Sequence, residues 1–320
     1  MSLEHVSHKD IEQFATDRVN LPADKASIYR AQVRRVRELL EKHIAEHPDF
    51  VLKKMLLSGS LAKGTALRSL NDIDVALYIS SDDAPDKVSE LLNFIAENLR
   101  KIPNLNYDQV KPQTYSVTVS FKGTGLDVDV VPILYYGDPE WRGDLISQDD
   151  GTRLMTSIPM HLDFAKKRRD AQPTDFAQVV RLVKFWSAIQ KAEVPGFRFK
   201  SFMIEMILAH LCDRGVSMKD YPQALAEFFN YVATTALRDR IVFSDYYNAT
   251  AVTIPADRIQ IVDPVNPKNN VGRLYTDSEA RLIEDAAYDA GDAIAYAFRA
   301  TTKIDTVIAW QRVFGSIFSG

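Results

Sequence analysis

Between Asp24 and His47 the apolar residues Ile28, Val33, Val36, Leu39, Leu40 and Ile44 recur at helical spacing among Lys, Arg and Glu, which predicts one long amphipathic helix. Leu21-Pro22 breaks the chain before it, and Asp24 is a candidate cap. Residues 50–57 and 72–80 read as strands on either side of the loop SGSLAKGTALRSLN. Pro85 opens a helix that runs to about Arg100, because proline is tolerated in a first turn. Two more strands follow, 116–121 and 126–134, joined through Gly123-Thr124-Gly125, a short hairpin signal.

After Asp163 the period changes. Helical patterns cover 175–191, 200–213, 221–237 and 278–299, while 240–275, rich in Pro, Asn and Asp, reads as a long connection with room for one short strand. Mixed α and β first, helices afterwards, predicts an α/β (α+β) fold. Residues 1–163 form a sheet domain carrying the long N-terminal helix, and residues 164–320 form a helical domain.

The composition, 46% apolar and 26% charged over 320 residues, is that of an ordinary globular protein. No apolar run is long enough to cross a membrane. The N-terminus lacks the layout of a signal peptide, and the single cysteine, Cys212, has no partner for an internal disulfide. These features point to the cytoplasm. A net charge of −4 argues against a protein built to coat nucleic acid. The basic runs Arg34-Arg35 and Lys166-Lys167-Arg168-Arg169 read as solvated helix faces.

The chemistry lies in the acidic residues. Asp72 and Asp74 are two apart on one strand, and so are Asp127 and Asp129 in GLDVDVVPI. Each pair therefore shares a face. If the two strands are neighbours, three or four carboxylates gather, and such a cluster needs protons or cations. Oxygen-only ligands suit Mg²⁺, usually completed by substrate phosphates, and a pair of such ions stabilises both oxygens of an in-line displacement. Gly59 lets backbone approach a phosphate closely, and the Ser60 hydroxyl can donate to it. No Gly-Lys-Ser/Thr follows at P-loop spacing.

Lys184 lies on a helix beside Val180, Val183 and Trp186, placed either to reach a triphosphate or to snorkel from an amphipathic face. Ser201 stands in the first turn of the next helix, where a hydroxyl caps the helix or meets a phosphate. His161 and His210 have no metal-like spacing with each other or with Cys212. Trp186, Trp310 and the run AIAYAF read as core, and Tyr135 and Tyr136 as packing at a strand end.

Gly-Ser, then Asp-Ile-Asp-Val, then Asp-Val-Val-Pro resembles the polymerase-β-like nucleotidyltransferases. Lys-Gly-Thr-Ala-Leu-Arg (63–68), Arg-Leu-Val-Lys (181–184), Lys-Ser-Phe (200–202) and Val-Asp-Pro-Val-Asn-Pro-Lys-Asn-Asn-Val (262–271) look like the 2′-5′ oligoadenylate synthases within that group. More specifically, EHVSHKDIEQFATDRVNLP and the ending WQRVFGSIFSG resemble the bacterial cGAS/DncV-like nucleotidyltransferases of CBASS anti-phage systems, in the clade encoded beside HORMA-domain proteins.

This resemblance implies a polymerase-β-like sheet domain with a spine helix and a helical domain. It implies synthesis of a cyclic oligonucleotide second messenger, cyclic tri-adenylate, from ATP with release of pyrophosphate. Two Mg²⁺ ions would be held by Asp72, Asp74 and Asp129, and the donor triphosphate by Gly59, Ser60, Lys184 and Ser201. Asp127 is assigned no counterpart by the resemblance and reads as an outer neighbour of the metal ligands or as a partly exposed strand residue. The implied partners are a HORMA-domain activator, a Trip13-like ATPase that removes it, and double-stranded DNA, with no membrane. The rival readings are a nucleotidyltransferase that modifies RNA or a small molecule, and a catalytically silent nucleotide-binding module.

Overall fold

The structure is a computed structural model that describes residues 5–46, 52–70, 72–80, 90–101, 106–121, 125–147 and 149–320. Phe50 and Val51 of the predicted first strand, the predicted helix start at Pro85, and Gly123-Thr124 of the predicted hairpin lie outside these residues.

A capping box formed by Ser7 and Asp10 starts helix α1 (His8–Phe14). A π-helical turn, Ala15–Val19, follows, and then the long α2 (Ala23–Glu46). Strand β1 (Leu52–Leu57) leads through the short α3 (Gly59–Lys63) into β2 (Asp72–Ser80). Helix α4 (Leu91–Arg100) precedes β3 (Val110–Pro112), β4 (Val117–Phe121), β5 (Leu126–Tyr135), β6 (Gly143–Ile146) and β7 (Arg153–Thr156). The remainder is α5 (Ile158–Ala171), α6 (Asp175–Glu193), α7 (Ser201–Asp213), α8 (Tyr221–Thr235), α9 (Asp277–Arg299) and α10 (Lys303–Phe314).

The strands form one sheet in the order β1-β2-β5-β4-β3, with β6 added to β5 and β7 to β6. Its β2–β5 pair is parallel and its other pairs are antiparallel. Alternation sends Ile73, Val75, Leu77 and Ile79 of β2, with Val128 and Val130 of β5, into one core. Leu92, Ile95, Ala96 and Leu99 of α4 close that core at helical spacing. Ala26, Val33 and Val36 of α2 join it, whereas Ile28, which the pattern places with them, is 53% exposed. On the opposite face Ala76, Tyr78 and Ile133 pack with Tyr135 and Trp141, whose rings stack at 4.7 Å. Tyr135 is thus a packing residue, while Tyr136 is exposed.

The chain divides into two compact units, Leu21–Asp163 and Met1–Asn20 with Phe164–Gly320. The sequence assigns residues 1–20 to the sheet domain, but they group with the helices, and the reason is local. Asn20 and Gln178 of α6 exchange amide hydrogen bonds at 2.9 and 3.0 Å. Arg181 donates to both, at 2.8 Å and 2.6 Å. Phe14 adds aromatic contacts with Phe185, Phe314 and Phe318. Trp186 and Trp310 are buried in this unit. The AIAYAF run is only half core, because helical spacing buries Ala293, Ile294 and Ala297 but turns Tyr296 and Phe298 outward.

One expectation about a polar stretch changes. Arg168 is not part of a solvated face: it is 6% exposed and paired with Asp213 and Asp245. The 240–275 connection holds only the 3-10 turn Ala249–Ala251 and the bridges Ile241–Ile261 and Val262–Asn270, and is ordered largely by side-chain to backbone bonds. Asp263 accepts from the backbone of Val265 (2.8 Å) and Asn266 (3.2 Å) and from the Asn269 side chain (3.1 Å). Asn270 accepts from Ile261 and Gly272 and donates to Asp257 and Ile259.

Candidate active site

In the sheet unit, the parallel β2–β5 register sets Asp72 opposite Asp127 and Asp74 opposite Asp129. Residues at i and i+2, and residues paired across a ladder, share a face. The four carboxylates therefore stand together on the face opposite the α4-packed core. Ile73, Val75, Val128 and Val130 anchor that arrangement from below, each no more than 1% exposed. The predicted adjacency of the two strands is present, and Asp127, a partly exposed strand residue, shares the acidic face with the other three.

Burial pushes the Asp129 carboxyl above the usual carboxylate range. The Thr118 hydroxyl opposes this by donating to Oδ1 at 2.5 Å, and the Asp72 and Asp127 charges add to it. Thr118 is directly across β4–β5 from Asp129. Sequence reasoning passes over Thr118, because a threonine in an alternating strand carries no signal of its own.

Asp74 is fixed from the other side. A Cβ built on Gly59 would meet Asp74 Oδ2 at 1.7 Å, and Gly59 has a φ of +61°. Only glycine satisfies both conditions. The backbone N–H of Ser58 donates to the Asp74 carbonyl at 2.9 Å, which ties the loop to β2. The Lys-Gly-Thr stretch has a structural part as well. Gly64 ends α3 in the left-handed region (φ +73°), and the N–H groups of Gly64 and Thr65 return to the carbonyls of Leu61 and Ser60.

Among the described residues, no three His, Cys, Asp or Glu side chains form a ready-made metal cage. Like charges on one face repel, and Asp74 lies against Gly59 while Asp129 holds the Thr118 hydroxyl. The donors are nevertheless all oxygen, the set that Mg²⁺ takes.

In the helical unit, Lys184 is 8% exposed between Val183 and Trp186. That burial does not fit a lysine snorkelling to water. Ser201 is the first residue of α7, and Lys200 occupies the cap position without a side-chain cap bond. The exposed Ser201 hydroxyl is therefore not used up as the cap. The backbone N–H of Lys200 donates to the Tyr275 hydroxyl at 2.8 Å. Its ammonium is pulled below the usual lysine range by burial and by Arg198 and Arg273, a basic cluster that the sequence alone does not assemble. His210 is held below the usual imidazole value by burial, as expected of a packed histidine.

Residues 6–144 match the family described as the Second Messenger Oligonucleotide or Dinucleotide Synthetase domain. The chain is 61% identical over 321 residues to the cyclic AMP-AMP-AMP synthase of Escherichia coli (strain MS 115-1), covering 100% of both. It is 33% identical to the CBASS oligonucleotide cyclase CdnC of E. coli (strain KTE188), covering 98% of both.

The chain belongs to the CBASS oligonucleotide cyclases.

Solved structures agree with that placement. E. coli MS115-1 CdnC superposes on the cyclase with a TM-score of 0.92 in its complex with HORMA-deltaN, at 60% identity and 100% of both chains. With ATP the same relative gives 0.93, at 61% identity and 99% and 100% of the two chains. Vibrio cholerae DncV cyclic AMP-GMP synthase, only 10% identical, still gives 0.72 over 99% and 97% of the two chains. That likeness shows the polymerase-β-like nucleotidyltransferase fold. The identity to a synthase and to an oligonucleotide cyclase makes the chain an enzyme of nucleotidyl transfer.

Proposed function

We propose that this cyclase makes cyclic tri-adenylate from ATP, with release of pyrophosphate, as an anti-phage signal. The observation that carries the reading is the register of β2 on β5, which pairs Asp72 with Asp127 and Asp74 with Asp129 on one face. Full-length similarity to a cyclic AMP-AMP-AMP synthase supports adenine as the base and three as the ring size.

Asp72, Asp74 and Asp129 would hold Mg²⁺, a hard ion that takes oxygen donors. When bound, the metal offsets negative charge developing on the attacking and leaving oxygens. Asp129, partly buried and held by the Thr118 hydroxyl, receives the proton of the acceptor 3′-hydroxyl or orients that group. Gly59 and Ser60 offer backbone N–H and hydroxyl to the donor triphosphate. Lys184 and Ser201 are the further triphosphate contacts in this reading, a charge and a hydroxyl. Attack on the donor α-phosphate then expels pyrophosphate, with positioning and charge stabilisation lowering most of the barrier. A HORMA-domain protein is the activating partner, by analogy with the E. coli complex. A Trip13-like ATPase that strips it off, and double-stranded DNA, complete the proposed regulation.

The test is incubation with ATP and Mg²⁺ alone, with and without the HORMA-domain protein. A cyclic trimer identified by mass and by nuclease mapping of its linkages is the expected product. Transfer of adenylate only to an added RNA or small-molecule acceptor would overturn the reading.

A further inference from the structure

Strand β4 alternates Val117, Thr118, Val119 and Ser120, and both valines are fully buried in the α4-packed core. Its polar side chains thus emerge on the acidic face, Thr118 opposite Asp129 and Ser120 opposite Asp127. The fold does not need a hydroxyl at residue 118. A valine there keeps the β-branched shape that strands favour and changes no backbone bond. The hydroxyl nevertheless donates to Asp129 Oδ1 at 2.5 Å, a short charge-assisted bond.

We propose that Thr118 is a positioning residue for nucleotidyl transfer, its hydroxyl fixing the direction of the Asp129 carboxylate. With one lone pair of Oδ1 engaged, Oδ2 is the freer oxygen for a cation, and the carboxylate resists turning away from its acidic neighbours. Outer partners of this kind orient metal-binding carboxylates and typically change affinity or rate when removed. The inference rests on the proposed role of Asp129.

The experiment compares Thr118→Val, Thr118→Ser and Asp129→Asn with the wild-type full chain, under conditions in which the wild type turns over. Three quantities are read: kcat and KM for ATP, Mn²⁺ binding without nucleotide by electron paramagnetic resonance, and the thermal midpoint. Thr118→Val should stay folded, bind Mn²⁺ roughly tenfold more weakly, and lose about ten- to a hundredfold in kcat. Its KM for ATP should stay within about twofold, because ground-state nucleotide contacts are untouched. Thr118→Ser, which keeps the hydroxyl, should recover most of both losses.

Thr118→Val matching wild type in Mn²⁺ binding and kcat, while Asp129→Asn is inactive, overturns the role of Thr118 alone. Thr118→Ser losing as much as Thr118→Val also overturns it, since the methyl group would then be what matters. Full turnover by Asp129→Asn would instead overturn the underlying assignment of Asp129. If valine proves destabilising, Thr118→Ala carries the same comparison without added bulk.

Discussion

Arg168 on α5 holds Asp245 in a two-pronged pair, Nη1 to Oδ1 at 2.6 Å and Nη2 to Oδ2 at 2.8 Å. Its Nε also reaches Asp213 at 3.0 Å, and its guanidinium lies 3.8 Å from the Phe164 ring centre. The bond to Asp245 anchors the irregular 240–275 stretch to a helix. Removing the arginine leaves a carboxylate that is only 11% exposed with just the longer Lys167 ion pair, at 3.8 Å. Arg168→Ala should cost about 3–5 kcal/mol. Asp213→Ala should cost less, because that side chain is 43% exposed. Urea unfolding of the two variants checks the order, and equal costs would contradict it.

Gly59→Ala is expected to abolish synthesis while leaving most of the protein folded. The new methyl group would meet Asp74 Oδ2 and force the carboxylate aside. The left-handed backbone adds about 1–2 kcal/mol of strain. Product formation together with the thermal midpoint tests this, and normal turnover would show that Asp74 can move freely.

Lys184 and Asp129 should fail in different ways. A buried ammonium that meets triphosphate in ground state and transition state alike acts chiefly on KM. Losing one charged hydrogen bond of about 1.5–3 kcal/mol predicts roughly a ten- to hundredfold rise in KM for Lys184→Ala. Asp129→Ala should instead cut kcat severely while a non-hydrolysable ATP analogue still binds. Steady-state kinetics with direct titration of the analogue decides between these roles. Loss of kcat alone in Lys184→Ala would reverse the assignment.

The start of α9 should make stability depend on acid. The backbone N–H of Thr276 donates to Glu279 at 2.8 Å and, with the Thr276 hydroxyl and Arg198, holds that carboxyl below the usual range. A carboxyl lowered in the folded state contributes stability above its unfolded value, about pH 4.3. That contribution is lost as pH falls through the lower folded value. Glu279→Gln keeps an acceptor but no charge. It should therefore melt below wild type near neutral pH and converge with it in acid. Thermal scans at a series of pH values would show a constant difference if the charge were irrelevant.

The strands carrying the carboxylates were legible because Asp-Ile-Asp-Val and Asp-Val-Asp-Val alternate acid with core aliphatic. Helices α6 to α9 were legible because their apolar stripes are long. Strands β6 and β7, four residues each, are too short to show a period. Helix α10 was missed because Ile304 and Ile308 are exposed while Ala309, Trp310, Val313 and Phe314 are buried, so its apolar residues fill more than one stripe. The Asp263–Asn270 segment has no period at all, since its order comes from side chains bonding to nearby backbone. Thr118 and the Arg198–Lys200–Arg273 cluster were invisible for another reason: their meaning lies in partners brought close by the fold.

The acidic face also guards the alignment of the sheet that builds it. Strands β2 and β5 run parallel, so no tight turn fixes how one slides along the other. A slip of either strand by a single residue would turn its two aspartates down against Ile95 and Leu99 and lift its aliphatic side chains into water. Burying carboxylates without partners costs far more than the crowding they endure on the surface. Misaligned pairings are therefore closed to the folding chain. The charges that strain the finished sheet select the one alignment in which they can later serve.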